Sequence, residues 1–207
     1  MPPAVVRACE ETAMITTYNA TLSRSTRVLW LLEELGAPYD LVPVEIARPD
    51  GGGGPDPANP HPLKEVPCIR DDGELIVESL AIWLHLSDDF PEAGMAPAVG
   101  HAKRAEYMGW MGLATGVFEP LVAAAMSGAA LVERQIEARA FLDARFAEAL
   151  ARGPYLLCER FSTVDLVYGS LLLFFPAALT QTEAIAAWLG RVAERPALAR
   201  VRSAEGR

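Results

Sequence analysis

The sequence predicts two joined regions of different class, an α/β region with the order βαβ-ββα followed by an all-helical bundle. Up to residue 89, short apolar runs typical of strands alternate with helical apolar stripes. From residue 98 onward the pattern is helical and contains no convincing strand. Residues 90–97 are rich in proline and glycine, so we place the linker between the domains 14–89 and 98–207 in this segment.

The composition is that of a folded, acidic protein. Apolar residues make up 51% of the 207 residues, which is enough for a substantial core. The formal net charge of −9 argues against nucleic acid and anionic membranes as partners, because both are bound by surplus Lys and Arg. Cys9, Cys68 and Cys158 have neither disulfide nor metal-ligand spacing, so we expect a cytoplasmic protein without a metal site.

Two segments bear on targeting. Residues 1–13 contain charged side chains and no long apolar run, so we expect a disordered extension and no signal peptide. The most apolar stretch, residues 166–179, is too short to span a bilayer and contains Pro176. This stretch is therefore expected to be a buried core helix.

The first domain is predicted to begin with a strand at residues 14–18, followed by a polar loop and a helix. One apolar stripe at positions i, i+3, i+4 and i+7 marks this helix: Val28, Leu31, Leu32 and Leu35. Gly36 and Pro38 supply its stop signal, and residues 39–44 form a second strand. Short connections of this kind favour a parallel βαβ unit.

The rest of the first domain is a loop, a hairpin and a helix. Residues 47–62 contain a four-glycine run flanked by prolines, which predicts a surface loop. Residues 68–70 and 74–77 are expected to form a hairpin around an Asp-Gly turn. Ser79 is expected to cap a helix that runs to about residue 88.

The second domain is predicted to consist of helices at about 101–126, 131–151, 162–175 and 183–193, with a short helix after Pro196. One of them has a clear start signal. Ser162 as N-cap and Asp165 three residues later resemble a capping box, and the apolar pair Phe161 and Leu166 resembles a hydrophobic staple.

Several short motifs follow one another in a fixed order. They are N-P-H-P-L-K-E-V-P at 59–67, D-G at 72–73, E-S-L-A-I at 78–82 and F-S-T-V-D at 161–165. This order resembles the glutathione S-transferase family, whose pattern runs N-P-x-G-K-V-P, D-G, E-S-x-A-I and F-S-x-A-D. The resemblance covers roughly residues 14 to 200 and implies a thioredoxin-like, glutathione-binding first domain.

The resemblance further implies that a hydroxyl just after the first strand activates the thiol of glutathione. A free thiol has a pKa of about 8.5, so the protein must favour the thiolate with a hydroxyl donor and the positive end of a helix. Ser23 is the first candidate, because the S-R-S segment looks like that of bacterial serine-type members; Ser25 and Thr21 follow. Alternatively, these hydroxyls only cap the helix and satisfy loop amides.

By the same resemblance, glutathione would lie extended along Val66 and Pro67. A cis Pro67 would expose the backbone of Val66 to the ligand, as if a strand were added; the alternative is a trans proline on an edge strand. Glu78 would bind the γ-glutamyl ammonium, and Ser79 with its helix N-terminus would bind the carboxylate. Alternatively, Glu78 and Ser79 only support the helix start.

One position departs from the family pattern. Glu65 stands where the family usually has Lys or Gln before V-P, and its carboxylate would repel the glycyl carboxylate of glutathione. Lys64 is the residue expected to substitute.

The electrophile is expected between the domains, against the first long helix of the second. The candidates by position are Tyr107, Trp110, Met111, Thr115 and Phe118. An aromatic and Met stripe at helical spacing is more often part of a core than of a substrate pocket.

The resemblance implies a glutathione transferase that acts on a small hydrophobic electrophile, as a homodimer and without a metal. Two other functions stay open. One is a non-catalytic glutathione-binding, regulatory or scaffold protein, because fold alone does not establish activity. The other is a glutathione-dependent isomerase or dehalogenase.

Overall fold

The computed structural model describes residues 15–157 and 159–206. The predicted N-terminal extension, the strand start at Met14, and the residues Cys9 and Cys158 lie outside the described residues. The first region has the predicted order of elements: β1 (Ile15–Asn19), α1 (Ser25–Leu35), β2 (Tyr39–Pro43), β3 (Cys68–Asp71), β4 (Glu74–Val77) and α2 (Ser79–Asp89). The βαβ-ββα prediction is therefore confirmed.

The four strands form one sheet in the order β2-β1-β3-β4. β1 and β2 are parallel, with Ile15 opposite Tyr39, and α1 makes the crossover between them. β3 runs antiparallel to β1, with Ile69 opposite Thr17, and pairs with β4 through the predicted hairpin. The carboxyl end of β1 therefore leads directly into the loop that carries Ser23.

The second region is helical throughout. Its α-helices are α3 (Arg104–Leu113), α4 (Glu119–Ser127), α5 (Glu133–Arg152), α6 (Thr163–Leu172), α7 (Glu183–Ala193) and α8 (Pro196–Ala204). The five residues Ala114–Phe118 form a π-helical turn, so α3 and α4 make one continuous helical run. α6 ends earlier than residue 175 because Pro176 cannot continue a helix and restricts the residue before it.

Two helix starts differ from the prediction. Arg24 and Glu78 occupy the N-cap positions of α1 and α2, so Ser25 and Ser79 are the first helical residues and not the caps. Neither cap position shows a side-chain hydrogen bond. Ser25 instead hydrogen-bonds the loop before α1, through Ala20 and Asn19.

The helical run Arg104–Ser127 is long and apolar enough, by length and composition alone, to cross a membrane. One of its faces, however, is covered by the other helices. Trp110 packs edge-on against Phe146 and Tyr168, with ring centroids 5.4 Å apart in each pair. The Tyr168 hydroxyl donates to the Trp110 carbonyl at 2.9 Å. We therefore assign this run as a core helix.

The start of α6 depends on a buried carboxylate. Asp165 is fully buried and accepts four hydrogen bonds of 2.9–3.0 Å, from the Leu156 N–H, the Ser162 N–H, the Ser162 hydroxyl and the Trp188 indole N–H. The predicted bond from Asp165 to the Ser162 N–H is confirmed. The bonds to Leu156 and Trp188 make the same side chain a junction between α6, α7 and the segment after α5.

Replacing Asp165 by alanine should lower the free energy of unfolding by about 3–5 kcal/mol, because four buried donors lose their acceptor. Urea denaturation measures the change. Glu137→Ala, at an exposed position of α5, is the matched control and should shift stability by no more than about 0.5 kcal/mol. Equal stability of the two variants would contradict the role given to Asp165.

Candidate active site

The loop between β1 and α1 is held together by its own serines. Ser23 Oγ accepts a hydrogen bond from the Ser25 N–H at 3.1 Å and lies 2.8 Å from Ser25 Oγ. Ser25 Oγ donates to Asn19 Oδ1 at 2.8 Å and accepts from the Ala20 N–H at 3.0 Å. Because the one hydroxyl proton of Ser25 goes to Asn19, Ser23 donates its own to Ser25 Oγ while it accepts the Ser25 N–H, and no backbone carbonyl takes the Ser23 proton.

The three hydroxyl candidates occupy different environments. Ser25 is fully buried and spends its hydrogen bonds on the loop, so it cannot face a ligand. Thr21 is exposed, and its carbonyl accepts from Arg48 at 2.9 Å. Ser23 is half-buried at the start of α1. Of the three candidates, Ser23 is the one that is both accessible to a ligand and held in place by hydrogen bonds within the loop.

The C-terminal end of α8 contacts this loop. Glu205 Oε1 accepts hydrogen bonds from Asn19 Nδ2 at 3.2 Å and from Thr26 Oγ1 at 2.5 Å. Asn19 therefore turns its Oδ1 toward Ser25. The sequence does not indicate this contact, because 186 residues separate Asn19 from Glu205 and no local motif links them.

The loop before β3 presents the backbone of Val66. The Val66–Pro67 peptide bond is cis, as the first of the two alternatives predicted. Asn59 is fully buried and braces the loop: its Nδ2 donates to the Glu65 carbonyl at 3.0 Å, and its Oδ1 accepts from the His61 N–H at 3.0 Å. Outside the strand ladders, no hydrogen bond joins the backbone of Val66 to another described residue.

The polar and charged residues of this loop differ in their hydrogen bonds and in their exposure. The Lys64 ammonium donates to the Asn59 carbonyl at 2.6 Å, which leaves it further protons for a ligand. Glu65 is exposed. His61 is buried, and its Nδ1 accepts from the Leu63 N–H at 3.1 Å, so it is part of the loop and not a solvated histidine.

Cys68 lies on the same loop-to-strand junction but is fully buried. Burial raises the pKa of its thiol to about 11. The thiol is therefore protonated at neutral pH and is a poor nucleophile.

The start of α2 is strained. Glu78 has φ 71° and ψ 125°, an unusual conformation for a residue with a side chain, and its carbonyl accepts the first helical bond from Ile82 at 3.0 Å. Strained residues of this kind cluster at ligand sites, where the surroundings hold them in place. The exposed Glu78 side chain and the Ser79 N–H lie at the start of α2, which is the positive end of its dipole.

A cavity of about 510 Å³ opens between α1 and the helical region. Ser23 is on its wall. The other lining residues are Leu22, Arg24, Thr26, Arg27, Trp30, Glu119, Val122, Ala123, Met126, Ser170, Leu171, Leu173, Phe174, Phe175, Leu198 and Arg202. This is the volume of a small-molecule site, and most of its walls are apolar.

The structure places the five residues expected to form the substrate pocket outside this cavity. Tyr107, Trp110, Met111 and Phe118 are at most 1% exposed and belong to the core. Thr115 is half-buried and donates its hydroxyl to the Gly112 carbonyl at 3.4 Å. None of the five lines the cavity, because this part of the helical run faces the other helices.

In the second region, the residues that line the cavity come from positions after Phe118. They belong to the end of the same helical run and to the turn after α6, at Phe174 and Phe175. Phe174 and Phe175, directly before Pro176, could have been recognised as a turn that lines a pocket. The sequence pattern instead predicts a buried helix for this stretch.

A possible metal-ligand group lies away from this cavity. His85 Nε2 is 2.7 Å from Asp71 Oδ2 and 3.4 Å from Asp89 Oδ2. None of the three residues lines the cavity. The observed contacts are those of a partly exposed hydrogen-bonded group that joins α2 to the β3–β4 hairpin.

Comparison with known proteins identifies the family. Residues 23–89 match the family model for the glutathione S-transferase N-terminal domain. The chain is similar to glutathione S-transferase GstA of Escherichia coli O157:H7, at 30% identity over 84% of this chain and 90% of that protein. It is 32% identical to glutathione S-transferase 3 of Schizosaccharomyces pombe over 53% of this chain, a match that spans 44% of that protein.

Solved structures agree with these matches. The bacterial glutathione S-transferase BphK, in a ternary complex, superimposes with a TM-score of 0.72 at 25% identity, over 93% of this chain and 100% of that one. A sphingomonad glutathione S-transferase in complex with glutathione gives 0.71 at 24% identity, over 92% and 98%, which bears on the fold alone. The chain therefore belongs to the glutathione S-transferase family.

Proposed function

We propose that this glutathione transferase binds glutathione between the Val66–Pro67 loop and α2, with Ser23 stabilising the thiolate. Membership of the family carries the activity itself. The observation that carries the proposed site is the position of Ser23, at the start of α1 and on the wall of a mostly apolar cavity. Nothing among the described residues favours a scaffold protein, an isomerase or a dehalogenase over this activity.

The chemistry requires the thiol to lose its proton to solvent on binding. The Ser23 hydroxyl then donates a hydrogen bond to the thiolate sulfur. At the same time Ser23 Oγ accepts a hydrogen bond from the Ser25 N–H, and this arrangement polarises the hydroxyl. The start of α1 adds the positive end of its dipole. Lowering the thiol pKa by about two units requires roughly 2.7 kcal/mol, which one charge-assisted hydrogen bond and a helix dipole supply.

The tripeptide is held by contacts along its length. In our proposal, the Val66 backbone pairs with the cysteinyl residue, and Lys64 binds the glycyl carboxylate. Ser79 and the free N–H groups of α2 bind the γ-glutamyl carboxylate, and the exposed Glu78 binds the ammonium. The electrophile occupies the cavity beyond Ser23, where proximity to the thiolate accelerates attack.

Replacing Ser23 by alanine should lower kcat/KM about 100-fold, because the thiolate loses the hydroxyl donor that stabilises it. The pKa of bound glutathione, followed through the ultraviolet absorbance of the thiolate, should rise toward that of the free thiol, about 8.5. Activity below that pKa should therefore suffer most, and the loss should diminish as the pH rises.

Thr21→Ala is the matched comparison, because it removes a hydroxyl from the same loop at an exposed position off the cavity wall. It should leave the thiolate pKa unchanged. A Ser23→Ala protein with an unchanged thiolate pKa would reject Ser23 as the activating residue.

Replacing Glu65 by lysine should tighten glutathione binding about three- to tenfold, because a repulsive charge near the glycyl carboxylate becomes attractive. Titration calorimetry measures the affinity, and the gain should shrink at high salt. Glu74→Lys makes the same charge change at an exposed position of β4 and should not alter affinity. An equal effect of both changes would show a general charge effect instead.

We further propose a cytoplasmic homodimer. The free thiol of Cys68 supports a reducing compartment, and closed twofold dimers are the commonest assembly of soluble proteins. Light scattering coupled to gel filtration should give twice the mass of one chain at micromolar concentration. The mass of a single chain would reject the dimer.

A further inference from the structure

The cavity beside Ser23 combines an apolar interior with uncovered apolar side chains at its edge. Leu22, Met126 and Phe174 line it and are 59%, 61% and 61% exposed, respectively. Large apolar side chains that remain exposed around one opening mark a binding surface. An apolar ligand bound in this cavity would contact apolar side chains that are otherwise exposed to water.

The charges on the cavity wall do not balance. Arg24, Arg27 and Arg202 line the cavity, whereas Glu119 is the one carboxylate among its lining residues. Glu119 pairs with the buried Arg27 at 2.9 Å and, through its other oxygen, with Arg24 at 3.4 Å. Arg27 also lies over the Trp83 ring at 5.0 Å. One carboxylate therefore serves two guanidinium groups.

Arg202 forms no ion pair with a carboxylate in the part of the chain that the structure describes. It is exposed on α8 and makes no hydrogen bond or ion pair with any other residue in the described ranges. Glu205, one turn further along α8, is engaged by Thr26 and Asn19. An unpaired guanidinium on the wall of an apolar cavity is unexpected in a chain whose net charge is −9.

We propose that the electrophile of this enzyme has an apolar, ring-shaped body and carries an anionic group, which Arg202 binds. A guanidinium recognises a carboxylate through two parallel hydrogen bonds, so it can orient the ring as well as attract it. Leu22, Met126 and Phe174 cover the ring, and Ser23 holds the thiolate at its edge. This inference rests on the proposed function of the same site.

Two electrophiles that differ in charge test the proposal: 4-chloro-3-nitrobenzoate and 4-chloro-3-nitrobenzamide. In both, the thiolate sulfur forms a bond to the ring carbon that bears chlorine, and the C–Cl bond breaks with release of chloride. The uncatalysed reaction with glutathione corrects for their different reactivity. The wild type should favour the benzoate over that reference by about tenfold, the effect of one charge-assisted contact.

Arg202→Gln should lower kcat/KM for the benzoate about tenfold, mainly through KM, and change the benzamide less than about twofold. Arg134→Gln removes the same charge from an exposed position of α5 outside the cavity and should leave both values unchanged. The proposal is overturned if the wild type shows no preference, or if Arg202→Gln affects both electrophiles equally.

The test separates this inference from the proposed role of Ser23. Ser23→Ala should depress turnover of both electrophiles alike, and failure to do so rejects the thiolate mechanism but not Arg202.

Calorimetry with the two glutathione conjugates tests the binding role of Arg202 without turnover. The carboxylate conjugate should bind the wild type about tenfold more tightly than the carboxamide, and Arg202→Gln should abolish that difference. Equal wild-type affinities overturn the proposal.

Discussion

The burial of α1 between the sheet and the helical region is the constraint on which the site depends. Val28, Leu29, Leu31 and Leu32 have no exposed surface, and Trp30 is 2% exposed. Eight of the eleven residues of α1 are buried, and a helix packed over most of its surface is held rigidly in position. Its N-terminus therefore lies at a defined place at the end of β1, where Ser23 meets the cavity.

Ion pairs and hydrogen bonds attach the same helix to the second region. Arg27 pairs with Glu119 at the start of α4, and Arg195 donates to Glu34 at 2.9 Å. Arg200 pairs with Glu33. These contacts join both ends of α1 to the helical region, so the cavity walls that they contribute are held in a fixed relation. The arrangement favours a preformed site.

Local patterns were sufficient where the physical cause is local. The apolar stripe of α1, the Asp-Gly turn and the capping residues of α6 each act within a few residues, and the structure contains all three elements. The thioredoxin-like sheet and the helical second region follow from the order of such elements. Local patterns did not reveal that Tyr107, Trp110, Met111 and Phe118 are core residues, because helical periodicity identifies an apolar face but not what covers it.

The sequence by itself determined the order of strands and helices, the family and the loop that carries Ser23, because these depend on residues close together in the chain. Only the tertiary structure decided which apolar residues are core and which line the cavity. It also decided that Glu205 braces Asn19 and that Arg202, which pairs with none of the other described residues, lines the cavity. These facts depend on chain segments nearly two hundred residues apart, and their distance in space is set by packing that no local pattern encodes.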